Sequence, residues 1–164
     1  MNKIKFFLLQ FLIIFILSSK SYALIEVDIT RGNLNPLPIA VSALSIDETS
    51  RKSFEKILKK KNIGIEISII VENNLKTSGL FNPLNKDAFL QAPDIANLKP
   101  RFEDWNLIKA QALVTGKVTN IDGKLRVEFR LWDVLAGKEM MALAFTTVPN
   151  NWRRVGHIIS DKVY

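Results

Sequence analysis

Between Ala110 and Asp133 the chain reads AQALVTGKVTNIDGKLRVEFRLWD, and no other stretch restricts the fold as tightly. Leu125, Val127, Phe129 and Leu131 alternate strictly with Arg126, Glu128 and Arg130. Successive strand side chains point to opposite faces, so this pattern predicts a strand with one face on a core and the other in water. Ala112-Leu113-Val114 is apolar at consecutive positions instead, which suits a central strand covered on both sides. Asp122-Gly123 lies between the two and matches the positive φ angles of a type I′ hairpin turn. Two strands alone are marginal in water, so the rest of the chain has to cover or extend them.

The elements around this hairpin supply the cover. Ile39 to Leu44 reads as a short apolar strand after a stiff connector holding Pro36 and Pro38. Asp47 and Glu48 open a helical pattern with Phe54, Ile57 and Leu58 on one stripe, and Lys59 to Lys61 close it, as the helix dipole favours. A second helix follows Asn62. Its Ile63, Ile67, Ile70, Val71 and Leu75 fall within roughly 140° of arc, and Gly79 suits the left-handed position after its end. Ile65 and Ile69 lie off that stripe. Leu80-Phe81 begins a brief extended piece, and Asn85 to Pro100 reads as a polar connection. Phe102, Trp105 and Ile108 predict a short helix leading into the hairpin. Beyond it, Met140 to Val148 makes a third antiparallel strand with Met141, Leu143 and Phe145 facing the core. Asn150 or Asn151 is placed to cap a last helix whose Trp152, Val155, Ile159 and Val163 share one face.

The first residues stand apart from this fold. Lys3 and Lys5 precede the apolar run Phe6 to Leu17, and Ser21-Tyr22-Ala23 puts small residues at −3 and −1 of a cleavage site, the arrangement of a secretory signal peptide cut after Ala23. As a helix, that run spans only roughly 18 Å, against about 30 Å of bilayer hydrocarbon. Removing 1–23 takes Lys3, Lys5 and Lys20 with it, so the formal net charge of +7 becomes +4. The expected organisation is a signal peptide over 1–23, an extended segment over 24–35 and one α/β domain over 36–164. In the extended segment Ile25, Val27 and Ile29 alternate with Glu26, Asp28 and Thr30 before Arg31-Gly32-Asn33 breaks the pattern. The chain ends at Tyr164 with the apolar pattern of the last helix still running, which reads as a cut.

Catalytic chemistry finds few residues to work with. With no cysteine and one histidine, His157, neither a thiolate metal site nor a Cys/His or Ser-His-Asp triad can be assembled. His157 falls on the wet side of the last helix. Glu103, Asp104 and Asp133 are the acids nearest strand ends, but adjacent helical acids point about 100° apart and make no paired carboxylate site. The seven glycines are isolated from one another, so there is no glycine-rich phosphate loop. Trp105, Trp132 and Trp152 sit on apolar faces or at strand ends and read as core. Basic residues form no stripe interleaved with exposed aromatics, so nucleic acid is not the expected ligand. A binding module that needs no metal or cofactor is the expectation from the residues.

Five stretches in fixed order then carry a family resemblance: PIAV (38–41), NNLKTSGLFNPL (73–84), FEDWNLIKAQALVTGKV (102–118), FRLWD (129–133) and NWRRVGHIISDKVY (151–164). Together with the signal peptide they resemble the amino-terminal domain of the TolB family, periplasmic components of the Tol–Pal envelope system. That resemblance implies a mixed five-stranded sheet with packed helices and no enzymatic activity. It implies a role in outer-membrane integrity and in invagination during cell division. Pal is expected to be contacted mainly through a β-propeller that follows this domain in the family and is missing here. The family's TolA-binding segment corresponds by position to Leu24, Ile25, Glu26, Val27, Asp28, Ile29, Thr30, Arg31, Gly32, Asn33 and Leu34. The alternative is a TolB-like domain of an outer-membrane lipoprotein activator or a secretion component. A lipoprotein needs a cysteine at its mature start, where this chain has Leu24. A small periplasmic hydrolase is disfavoured by the missing catalytic constellation.

Overall fold

A computed structural model describes residues 35–164. The signal peptide over 1–23 and the extended segment Leu24–Leu34 lie outside the described residues. The hairpin is the longest feature of the sheet: β4 (Ala112–Ile121) and β5 (Lys124–Asp133) pair antiparallel without a break from Ile121↔Lys124 to Ala112↔Asp133. Asp122 (φ 50°) and Gly123 (φ 77°) make the turn, and Asn120 Oδ1 accepts a hydrogen bond from the Gly123 N–H at 2.9 Å. Both positive φ angles match the right-handed twist of the flanking strands.

On one side of the hairpin, β6 (Lys138–Thr147) adds antiparallel to β5, with a bulge at Leu131/Trp132. On the other, β1 (Leu37–Val41) runs parallel to β4 and β3 (Phe81–Pro83) runs parallel to β1. The order is β3-β1-β4-β5-β6, with two-residue β2 (Ser45–Ile46) as a sixth strand beside β4. The expected five strands are therefore the main path, and β2 is an addition. It continues the row of β1 after one extra residue, because four steps from Val41 to Ser45 face three from Val114 to Lys117. Leu44 lies in that detour, and Gly116 admits it: a Cβ there would stand 2.8 Å from Leu44 Cδ2 and collide with the Glu128 carbonyl. Pro38 belongs to β1 rather than to a connector. It lies near the start of the strand, and its carbonyl accepts from the Gln111 N–H at 2.9 Å.

Three helices cover one face. α1 (Glu48–Leu58) is capped by Asp47, whose carboxylate accepts from the Ser50 N–H at 2.8 Å. Ser50 Oγ in turn accepts from the Asn120 N–H at 2.8 Å, which ties the helix start to β4. α2 (Ile63–Ser78) is capped by Asn62 and ends at Gly79, φ 74°. α5 (Trp152–Val163) lies against α2, where Gly156 makes room for Ile70. Phe54, Ile67, Val71, Leu75, Val155 and Ile159 meet Val114, Val127 and Phe129 there in one core. α3 (Pro93–Leu98) and α4 (Phe102–Leu107) cover part of the opposite face, placing Ala96, Trp105 and Phe102 on Ala40, Leu113 and Trp132. Leu113 and Val114 are thus buried on opposite sides of β4, as their consecutive apolarity requires.

Some expectations are corrected. The polar connection over 85–100 contains α3, which Pro93 starts from the first helical position, where its missing N–H costs nothing. Ile57 is 48% exposed, since α1 buries Phe54 deeply and turns Ile57 outward. No Asn side chain caps α5: Asn151 Nδ2 donates to Thr147 Oγ1 at 3.0 Å, and a 3₁₀ turn at Pro149–Asn151 leads into the helix. Met141 and Phe145 are only partly buried and Leu143 is 37% exposed, because the helix layer stops short of the outer strand.

Candidate functional site

The residues expected to dock a partner, Leu24 to Leu34, precede the described region, so the structure shows their point of attachment. Leu37 opens β1, donates its N–H to the Leu80 carbonyl at 2.8 Å and stands beside Phe81 in β3. The Phe81 ring lies 6.5 Å from that of Tyr164. The segment therefore joins the domain at the end of the sheet where α5 also ends.

At the far edge of the sheet from that attachment the domain presents two unlike surfaces. The outer side of β6 carries Ala142, Leu143 and Ala144, all exposed. Between β6 and α5 runs an open groove of about 350 Å³ lined by Phe145, Thr147, Asn151, Arg154, Val155 and Ile158. On the reverse face lie Arg126, Glu128 and Arg130 in the positions the alternation assigned to water, with exposed Lys117 beside Glu128 and with Arg130 reaching Asn97 of α3 at 3.4 Å. Three of these charges have ion-pair partners. Arg126 Nε bonds Glu128 Oε1 at 2.8 Å, and Arg130 Nε meets Glu139 Oε2 at 3.1 Å.

Asp104, Asp133 and His157, singled out in the sequence, have structural partners. Arg101 and the Gln91 amide hold the Asp104 carboxyl below the usual carboxylate range, with the Arg101 hydrogen bond the larger cause. Glu103 points to solvent. Asp133 is buried and accepts the Ala136 N–H at 2.8 Å, closing the β5–β6 turn. His157 is exposed, with its Nδ1 2.8 Å from Asn74 Nδ2, and the same amide donates to Ser160 Oγ at 3.0 Å, so the cluster joins α2 to α5. Trp105, Trp132 and Trp152 are all core, and the Trp132 indole N–H donates to the buried Thr115 hydroxyl at 2.9 Å. Among the described residues no group of three or more His, Cys, Asp or Glu is arranged to hold a metal ion. No helix there is long and apolar enough to cross a membrane.

A mixed six-stranded sheet with helices on both faces and a long outer strand defines the class: an α+β domain. Within that class the chain belongs to the TolB amino-terminal domain family, whose match covers residues 25–140. It is 78% identical over 154 residues to the Tol-Pal system protein TolB of Pelagibacter ubique (strain HTCC1062). The match takes in 94% of this chain and 34% of that protein, so the chain spans about a third of its relative's length. The crystal structure of TolB from Acinetobacter baumannii superposes with a TM-score of 0.58 at 21% identity, covering 79% of this chain and 27% of that one, and shows the shared fold. The LpoB C-terminal domain from Salmonella enterica aligns at 0.45 with 10% identity, over 69% of this chain and 82% of its own, too loosely to bear on function.

Proposed function

We propose that this chain is a non-enzymatic, exported component of the Tol–Pal envelope system, and that Leu24–Leu34 is its docking segment for TolA. The observation that carries the reading is the position of the family match. It begins at residue 25, so the alternating segment is part of the matched domain although it precedes the first described strand. An extended segment of this kind gains main-chain hydrogen bonds by adding to a sheet edge, while its alternate side chains give selectivity. Ile25, Val27 and Ile29 form the apolar side, Glu26 and Asp28 the polar one, and Pro36 with Gly32 separates them from the core. Pal is contacted mainly through a propeller beyond the length spanned here. The pair of contacts links TolA to Pal in outer-membrane integrity and in invagination at division. The periplasmic location rests on Lys3, Lys5, the Phe6–Leu17 run and the Ser21-Tyr22-Ala23 site.

Deleting Leu24–Asn33 from the exported chain tests the reading. The expected result is a domain that still unfolds cooperatively, with its melting temperature moved by only a few degrees, and loses TolA binding. Binding that survives the deletion removes the site assignment. Mass spectrometry of the periplasmic chain is expected to show Leu24 as the first residue, and a retained Met1 in the membrane fraction would overturn the export.

A further inference from the structure

Among the described residues the two edges of the sheet are unlike. β3 is three residues long and ends in Pro83, so it offers little to pair with. β6, at the other edge, is ten residues long and has a strand on one side only. From Met141 to Thr147 it holds no charge, no proline and no bulge. Uncharged, unbroken edges of this kind are ready templates for another strand, and folded proteins usually blunt or cover them. The apolar row is unfinished as well: Leu143 is 37% exposed, and the groove toward α5 lies open beside Phe145.

We propose that a second copy of this chain takes the edge: β6 pairs antiparallel with β6 of the other copy about a two-fold axis at Leu143, joining the two sheets into one. The charges of the reverse face select the axis. Arg126, Glu128 and Arg130 stand opposite Thr146, Ala144 and Ala142, and directly opposed residues share a face. An axis at Ala142 sets Arg130 of both copies at the two ends of one row, and an axis at Ala144 does the same with Glu128. An axis at Leu143 places Ala142 opposite Ala144 instead, so Arg130 of each copy shares a row with Glu128 of the other. Only two alanine side chains stand between them. Arg130 already meets Glu139 and Glu128 already meets Arg126 within one copy, so the contact joins two ion pairs into a network of four charges, twice over.

The face beneath the helices selects the same axis from the odd positions. About Leu143, Met141 of each copy lies opposite Phe145 of the other and Leu143 meets its own counterpart, so the apolar row runs unbroken from one Phe129 to the other. A methionine sulfur beside an aromatic ring is a favourable contact, and Leu143 leaves water without drawing a charge after it. An axis at Met141 brings Leu143 toward Glu139, and one at Phe145 brings it opposite Thr147. A two-fold contact has to be complementary to itself, and one axis satisfies both faces of β6. The inference goes beyond the docking role proposed above, because that segment joins the domain at β1, on the other side of the sheet.

Light scattering of the exported chain from roughly 1 μM to 1 mM is expected to show monomer passing into dimer. The chain has no cysteine, so single substitutions report the axis. Opposed antiparallel residues are about 4.5–5.5 Å apart at Cα, within the range a disulfide spans. Leu143→Cys is expected to oxidise to a covalent dimer. Thr147→Cys, whose two copies fall well apart along the joint, is expected to stay reduced. Leu143→Lys sets two ammonium groups face to face and is expected to weaken association by about tenfold or more, with the circular dichroism of the monomer unchanged. A chain that stays monomeric throughout, equal linkage of both cysteines, or dimers untouched by Leu143→Lys overturns the proposal. Hydrogen exchange needs no mutation: amides of 141–145 are expected to slow as concentration rises. Equal rates in dilute and concentrated samples would show an edge that is bare or covered within one chain, and overturn it as well. TolA is absent from every one of these measurements, so the dimer and the docking role fail separately.

Discussion

β5 and β6 are neighbours of equal length, and Met141, Leu143 and Phe145 of β6 stand opposite Leu131, Phe129 and Val127 of β5 on the face beneath the helices, yet their fates differ. In β5 the row Leu125, Val127, Phe129 and Leu131 is buried, with Phe129 fully so, while its partner in register on β6, Leu143, is 37% exposed. The difference does not lie in the side chains. α1, α2 and α5 rest over the inner strands, and α5 reaches only the near side of β6, where Phe145 stacks on Phe129 at 6.1 Å. Alternation states which face is apolar. Whether that face is dry depends on an element elsewhere in the chain.

Truncations across this boundary give graded effects. Phe129→Ala removes a fully buried ring among three helices and is expected to destabilise by about 3–5 kcal/mol in chemical denaturation. A loss below about 1 kcal/mol would mean that the two faces are inverted. Trp132→Phe, on the reverse face of the same strand, leaves the buried Thr115 hydroxyl without its indole donor and is expected to cost about 1–3 kcal/mol. Adding Thr115→Val to that variant should recover part of the loss, and no recovery would discount the hydrogen bond.

Asp47→Ala removes the cap of α1 and is expected to cost about 1 kcal/mol at neutral pH. The backbone and side-chain hydrogen bonds from Ser50 lower the Asp47 pKa in the folded state. Its contribution is therefore fully present above the unfolded value near 4 and is lost as pH falls through the lower folded value. Wild type and variant are expected to converge only once pH has fallen below that lower folded value, and a gap that persists beyond it would point to packing instead of the cap. Leu143→Ala, on the outer strand, is expected to change stability by less than about 1 kcal/mol, and a core-sized loss would show that its 37% exposure understates its packing.

Local signals in the sequence determined a great deal. The hairpin turn, the Asn62 and Gly79 ends of α2, the buried row of β5 and the tryptophans as core follow from steric rules and periodicities acting within a few residues. Other features depend on distant neighbours. Pro38 lies within a strand because Gln111 and β3 arrive beside it, and β2 exists because Leu44 has a Gly116 to lean on across the sheet. Ile57 and Leu143 follow the apolar pattern and remain wet because no helix arrives to cover them. For the candidate docking segment the sequence alone supplied the alternation and the family position. The tertiary structure decided where β1, the strand that follows it, lies between β3 and β4, because a strand's partner is set by the assembled sheet and not by the strand.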